Sequence, residues 1–566
     1  MVVTIDNKQL NIKEGTTILE AAKSVGIKIP TLCYMKDICE VGACRVCLVE
    51  IEGDDRLSAA CNMVAEDGMV IHTNSRRVLD ARRVNVELAL SAHNMNCTTC
   101  TRNLNCTLQT IANELNVADV PYENKPRHDK WPEDFPLIRD SSKCVSCMRC
   151  INICDKLQSL GVWNTRGAAA HLNVNVAGGK AITESDCSLC GQCVTGCPVG
   201  ALNARDDTAK IFDAIYDPEK VVVVQVAPAV RAAWVEEYGN TSAGQMVAAV
   251  RALGVDYVFD TGFAADLTVM EEGNELLQRV KETHSMPLFS SCCPGWVRFA
   301  KSQYPELVPH LSTAKSPQQM FGAITKTWFA NHSEIDPAKI FSVSIMPCIA
   351  KKHECALPGM SSTEHGQDVD AVITSREFMR MLKTRNINVC TLADENFDDP
   401  LGKGVSVVFG VSGGVTESVL RSVHYFVTGN NPEPDAFSAL RATSNLCEAT
   451  IRLNGTPIRI AVVSGFAAAR ELIEKIKTGE AAYDFVEVMA CPGGCVCGGG
   501  QPIYSDFEAT PERAPVLRDV DKTAANRLPH DNPAIKKIYY EFLKQPLSDK
   551  AHELLHTDHG LWNMPR

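Results

Sequence analysis

Apolar and polar residues alternate over Val2–Ile5, the two-residue period of a half-buried strand, and a second short strand and a helix-like stretch over 17–25 follow. A helical run covers 78–90, and residues 121–136, rich in proline and charge, read as a linker. From about residue 221 the texture changes. The apolar runs Val221–Val226, 405–409 and 459–463 read as strands, each followed by a turn containing glycine or proline and a helical pattern. From about 526 the chain is polar and helical. The pattern therefore predicts an α+β multidomain chain with a small β-rich start and a large α/β unit in its second half.

At 566 residues the length suits three or four domains with a sizeable core. Twenty-five cysteines would mean disulfides in a small secreted chain. Here the start, Met-Val-Val-Thr-Ile-Asp, has no signal pattern, and many cysteines stand two residues apart, which favours metal clusters. No apolar run approaches the ~18–20 residues that span a bilayer. A net charge of −12 argues against nucleic acid as a general partner. The expectation is a cytoplasmic, reducing setting with no membrane and no nucleic acid.

The cysteines fall in blocks. Cys33-x₁₀-Cys44-x₂-Cys47-x₁₃-Cys61 suits a [2Fe–2S] centre, with Cys39 an extra thiol inside the loop. His93-x₃-Cys97-x₂-Cys100-x₅-Cys106 suits a [4Fe–4S] cluster with one imidazole ligand, or a Cys₃His zinc knuckle. Cys144-x₂-Cys147-x₂-Cys150-x₃-Cys154 and Cys187-x₂-Cys190-x₂-Cys193-x₃-Cys197-Pro198 form an internal repeat. In two-cluster ferredoxins the fourth cysteine of each run serves the other cluster. One [4Fe–4S] cluster is then expected on Cys144, Cys147, Cys150 and Cys197, the other on Cys187, Cys190, Cys193 and Cys154.

Three segments of the second half carry the chemistry: Ser-Ser-Cys-Cys-Pro-Gly-Trp at 290–296, Met-Pro-Cys at 346–348 and Ala-Cys-Pro-Gly-Gly-Cys at 490–495. Four of their thiols, Cys293, Cys348, Cys491 and Cys495, suit a cubane cluster and leave Cys292 as a spare acid or base. Gly410-Val-Ser-Gly-Gly414 matches the hydrolase elbow pattern, but no Asp and His partners are indicated for Ser412, which reads as structural. Residues 498–500 lack the Lys-Ser/Thr of a phosphate loop.

Taken together, these segments resemble the active-site signature of the iron-only, or [FeFe], hydrogenases, and the likeness covers essentially the whole chain. It implies an H-cluster, a [4Fe–4S] cubane joined to a two-iron subcluster with CO, CN and dithiolate ligands, and the reaction 2H⁺ + 2e⁻ ⇌ H₂. By the resemblance, Cys293, Cys348, Cys491 and Cys495 hold the cubane, Cys495 also binding the two-iron unit, and Cys292 passes protons to it. The proton path continues through Glu272, Glu275, Ser312 and Arg279. Glu272, Glu275 and Arg279 share one helix face by spacing, which without the resemblance reads as a solvated charged face. Lys351 matches a cyanide contact, and Pro228, Gln318, Met346 and Met489 match other pocket positions. Three departures stand out: Ala229 where a serine is common, Ser290 where threonine is commoner, and Cys497 where a small residue or asparagine is usual.

The division implied is 1–76 for a β-grasp [2Fe–2S] ferredoxin-like domain and 77–125 for the His/Cys₃ [4Fe–4S] domain. Residues 137–208 follow as a two-[4Fe–4S] ferredoxin domain, 209–525 as the catalytic domain and 526–566 as a helical segment packing on it. The three accessory [4Fe–4S] clusters and the [2Fe–2S] centre would relay electrons. Residues 1–200 alone would also allow an Fe–S relay subunit of an NADH dehydrogenase-type complex. A non-catalytic hydrogenase-like sensor or assembly protein is the other alternative. The chain shows no dinucleotide or flavin motif. Electrons are therefore expected to come from ferredoxin, the minimal arrangement, or from a flavin-bearing NAD(P)H dehydrogenase subunit, and hydrogenase maturation proteins would install the two-iron unit. Arg76, Arg77, Arg82 and Arg83 read as a solvated helix face or a docking patch for an acidic partner. The histidines of the tail, 552–559, read as surface residues.

Overall fold

A computed structural model describes every residue except 169–171, 240, 283–286, 442–444, 505–511 and 566. Its N-terminal sheet has five strands in the order Lys8–Asn11, Val2–Ile5, Val70–His72, Leu48–Ile51, Ser58–Ala59. Val2–Ile5 runs antiparallel to Lys8–Asn11 and parallel to Val70–His72. The helix Ile18–Ser24 starts at Thr17, whose hydroxyl accepts from the Glu20 amide while the Glu20 carboxylate accepts from the Thr17 amide. Its Ile18, Leu19, Ala21 and Ala22 pack on Val3, Ile5, Val49 and Ile71.

The helix Arg76–Ser91 follows, begun by the Ser75 hydroxyl. It corrects the reading of four exposed arginines. Arg82 is buried and donates to the Leu48 carbonyl, while Arg76 and Arg83 face Asp80 and Arg77 faces Glu50. The helix seats on the sheet through a cation, and local carboxylates offset the rest of the patch.

The repeated cysteine runs fold alike. Strands Leu137–Arg139 and Leu202–Ala204 pair antiparallel and close the unit, and the short helices Arg149–Asn152 and Gln192–Thr195 lie within the two runs. Positive φ recurs at matching places, Ser146 and Met148 in the first run, Leu189 and Gly191 in the second. At Gly191 a side chain would also strike Ile349 and the Gly499 backbone, so this glycine lets the unit press against the catalytic part.

The catalytic part is built on two four-stranded sheets. One is parallel throughout, in the order Tyr257–Asp260, Val221–Val226, Ile340–Met346, Ala371–Thr374. The other runs Leu288–Phe289, Phe485–Met489, Thr456–Ser464 in parallel, with Leu446–Leu453 antiparallel at its edge. The apolar run 459–463 thus lies within Thr456–Ser464, but 405–409 is not a strand. Its Val405 and Ser406 amides donate to the Asp266 carboxylate, and a 3₁₀ turn, Val407–Gly410, follows. A buried side chain has taken the place of a strand neighbour.

The tail buries more than its polarity suggested. Ile535, Ile538, Leu543, Leu554 and Leu555 join Phe259, Phe263, Phe321 and Phe329 in one core. Of its histidines, His552 is exposed. His556 is buried against Glu271, and His559 turns inward to the Ser312 carbonyl. Among the described residues no helix is long and apolar enough to cross a membrane.

Lys352 ties the ferredoxin-like unit to the catalytic part. Fully buried, it donates to Asp207 at 2.8 Å, Glu377 at 3.0 Å and the Val372 carbonyl at 2.6 Å. Replacing it by methionine leaves buried Glu377 without a cation and Asp207 with Arg205 and Lys210 alone, and removing one partner of a buried pair costs about 3–5 kcal/mol. Calorimetry of Lys352→Met should show an earlier unfolding transition; an unchanged transition would contradict the tie.

Candidate active site between the two sheets

Loops leaving the C-terminal ends of four parallel strands, two from each sheet, meet in one cavity. Val221–Val226 delivers Pro228 and Ala229, and Ile340–Met346 delivers Met346, Cys348 and Lys351. Leu288–Phe289 delivers Cys292 and Cys293, and Phe485–Met489 delivers Met489, Cys491 and Cys495. Gln318 completes the wall. Ligand sites at strand C-termini are the rule for open α/β sheets. Gly494, with φ +98°, keeps the 490–495 loop tight, since a side chain there would meet the Ser412 amide at 2.6 Å.

Burial raises the proton affinity of all four thiols, Cys293, Cys348, Cys491 and Cys495, and neighbouring thiols of the set add to it at Cys348, Cys491 and Cys495. Four thiols facing one cavity with a largely apolar wall fit an iron–sulfur group, which would replace their protons with metal charge. Beside them Lys351 donates to Glu354 at 2.8 Å and to the Cys292 carbonyl at 3.3 Å. Gln318 Nε2 donates to Glu354 at 3.2 Å, and its Oε1 has no partner. Ala229 begins the helix Val230–Tyr238 without a side-chain cap. Cys497 does not line the cavity; its sulfur packs towards Gly493, and nothing in the structure explains the choice of cysteine.

A line of ionisable groups leaves Cys292. The Ser290 hydroxyl lies 3.5 Å from its sulfur, and Glu272 comes next. Glu272 is completely buried, neither of its oxygens has a hydrogen-bond partner, and burial, then Glu275, pushes its carboxyl up to about 8. Glu275 accepts from Ser312 at 2.7 Å and from Arg279 at 2.8 Å, and the Arg279 side chain is 16% exposed. The helix Thr261–Glu282 supplies all three charged members. Two partners escaped the sequence reading. Glu354 was legible as an i, i+3 neighbour of Lys351; His559, 2.8 Å from the Ser312 carbonyl across 247 residues, left no local signal.

The outer cysteines gather too. Cys33 lies against Cys44 and Cys47 against Cys61, whereas Cys39 turns away to the Cys147 carbonyl at 3.8 Å. Cys144, Cys147, Cys150 and Cys197 ring one cavity, while Cys154 groups with Cys187, Cys190 and Cys193. His93 donates through Nδ1 to the Lys143 carbonyl at 3.0 Å, which leaves Nε2 free as a ligand. Cys97 precedes Cys100 in a tight turn, and Cys100 faces Cys106. Among the described residues no three Cys, His, Asp or Glu side chains close on a single metal ion.

Fold and site define an iron–sulfur oxidoreductase. Residues 220–499 match the family described as iron only hydrogenase large subunit, C-terminal domain, and 508–560 match the iron hydrogenase small subunit. Residues 1–76 match a 2Fe-2S iron-sulfur cluster binding domain and 180–203 a 4Fe-4S binding domain. Residues 82–121 match the NADH-ubiquinone oxidoreductase-G iron-sulfur binding region. The chain is 42% identical to the NADP-reducing hydrogenase subunit HndD of Solidesulfovibrio fructosivorans, over 98% of each protein. It is 37% identical to Iron hydrogenase 1 of Clostridium pasteurianum, over 98% of this chain and 99% of that one. Among solved structures, apo [FeFe]-hydrogenase HydA1 of Chlamydomonas reinhardtii aligns with a TM-score of 0.57 at 36% identity, covering 63% of this chain and 99% of that one. The chain belongs to the [FeFe] hydrogenase family, in its long form with accessory iron–sulfur domains, and interconverts protons, electrons and H₂.

Glu272 gives a pH test. Its carboxyl is held at about 8 in the fold against 4.5 as the ordinary value. A raised carboxyl keeps its proton after the unfolded chain has lost it. Its contribution is therefore intact below about pH 4.5 and lost as pH rises towards about 8. Glu272→Gln should match the parent at the acid end and become progressively more stable than it across that window. Thermal unfolding at both ends checks this; a difference independent of pH would contradict it.

Proposed function

We propose that the four gathered thiols, Cys293, Cys348, Cys491 and Cys495, hold the catalytic cubane, with Cys495 shared with the two-iron unit. When bound, that group supplies the centre at which protons and electrons combine. The chain's residues do the rest. Cys292 Sγ holds the proton nearest the group. Glu272, kept protonated by burial, returns protons to Cys292, and Glu275 with Ser312 and Arg279 connects it to the surface. Lys351 anchors an anionic ligand through its ammonium, Pro228, Met346 and Met489 keep water out, and the backbone at Ala229 and the Gln318 amide supply polar contacts. The succession of Cys292, Glu272, Glu275 and Arg279 leading away from the four-thiol cavity supports this reading.

The accessory set is assigned as one [2Fe–2S] cluster on Cys33, Cys44, Cys47 and Cys61, and one [4Fe–4S] cluster on His93, Cys97, Cys100 and Cys106. Two further [4Fe–4S] clusters lie on the crossed cysteine runs. The domain division 1–76, 77–125, 137–208, 209–525 and 526–566 follows these sets. Maturation proteins install the two-iron unit. A flavin-bearing NAD(P)H dehydrogenase subunit is the favoured electron partner, supported by the likeness to an NADP-reducing hydrogenase subunit; ferredoxin is the other. A stoichiometric flavoprotein on native purification supports the first, and rapid turnover of the isolated chain with reduced ferredoxin supports the second.

Cys292→Ala tests the proton role. A positioned acid or base contributes about 10²–10⁴-fold. H₂ evolution should fall by that order while iron content and the infrared bands of CO and CN stay as in the parent. Substantial turnover with a full set of bands would show that the proton takes another route.

A further inference from the structure

Arg102 stands between two of the proposed cluster sites with its charge uncompensated. It is 5% exposed, and its Nε and Nη1 have no hydrogen-bond partner. Its Nη2 donates to the Tyr504 carbonyl at a long 3.4 Å. The charges that favour its ionised form come from thiols, Cys197 first and then Cys106 and Cys100, while Arg149 and Arg376 nearby carry like charge. Cys197 belongs to the Cys144, Cys147 and Cys150 set; Cys100 and Cys106 belong with His93.

The two sets share a wall at this point. The Thr107 amide donates to the Pro198 carbonyl at 3.1 Å, and the Cys106 sulfur lies 3.8 Å from the same oxygen. A side chain at Gly200 would meet the Cys100 sulfur at 2.6 Å and the Arg102 stem at 3.6 Å, so this turn lies directly against Arg102. A guanidinium stays charged at every working pH, and burying one unpaired costs several kcal/mol. Such a group belongs in an interior that receives negative charge from something other than the polypeptide. An iron–sulfur cluster with its thiolates is anionic and becomes more so with each electron, and nearby charge and hydrogen bonds set its potential.

We propose that Arg102 is a redox-tuning residue. Its guanidinium, with two uncommitted N–H nitrogens, stabilises the reduced states of both neighbouring centres and eases the repulsion when both hold an electron. This rests on the cluster assignment above and adds to it that one side chain sets two potentials.

The experiment is a potentiometric titration of the cluster-loaded full chain, followed by electron paramagnetic resonance, with no reference to H₂ turnover. Arg102→Gln removes the charge. At a fixed potential the reduced-to-oxidised ratio of the His93 centre and of the Cys197 centre should fall about tenfold, which is ~59 mV for one electron. Arg102→Lys should keep most of the parental value. The Cys33 and Cys187 centres should not move. Unchanged potentials in Arg102→Gln at full iron content would overturn the proposal. So would equal shifts in both variants, or loss of a cluster from both, since each would make the role structural. A parent protein without a four-iron signal at the His93 site would instead overturn the cluster assignment, before any variant is compared.

Discussion

Burial of thiols sets the terms for this fold. At Cys147, Cys150, Cys190, Cys193 and Cys197 desolvation is the first cause of a raised proton affinity, and neighbouring thiols add to it. The same holds at Cys348, Cys491 and Cys495. In the bare polypeptide these side chains stay neutral. Iron reverses the balance, because metal binding releases the thiol proton and its positive charge replaces the lost solvation. The clusters are thus part of the interior, and the domains that hold them gain stability from loading.

The architecture around the catalytic cavity follows from the need to fix loops without covering the metal side. Buried carboxylates do much of this from behind. Glu487 accepts from the Gly413 and Thr416 amides and the Thr416 hydroxyl, which fixes the turn that meets Gly494. Asp266 holds the 405–406 amides, and Asp260 pairs with Arg231 at 2.7 Å. Glu487 and Asp266 satisfy backbone amides that no β-ladder pairs there, and Asp260 neutralises Arg231, so the loops at the strand ends are held from behind.

The cysteine sets were legible because their information is local. Cysteines two residues apart on a short turn announce themselves, and the repeat at 144–154 and 187–197 shows in both spacing and backbone conformation. Val2–Ile5 and Val221–Val226 were legible from apolar pattern alone. What the pattern missed depends on partners far along the chain. Residues 405–409 have strand composition, but Asp266, about 140 residues away, claims their amides. Arg82 looks like its solvated neighbours until the Leu48 carbonyl meets it. His556 meets Glu271 across 285 residues, and polarity alone could not foresee an interior for it. Propensity speaks for surfaces and local turns; buried polar pairs answer to topology.

In the scheme proposed above, electrons and protons approach the cavity along different elements. On the electron side Cys190 lines the cavity, and the Cys491 sulfur lies 3.9 Å from its carbonyl. Arg298 binds the Cys187 carbonyl with two nitrogens and holds this contact against the catalytic loops. On the proton side the groups lie on the helix Thr261–Glu282 and on the segment around Ser312, which the tail backs through His556 and His559. The two lines share no residue, and their chemistry shows why. A proton line needs titratable groups within hydrogen-bond reach and an exit to water. An electron line needs cluster charge shielded from water and compensated by fixed cations. Burial serves both, but by opposite means: it keeps a proton on Glu272, and at the clusters it makes a buried arginine worth keeping.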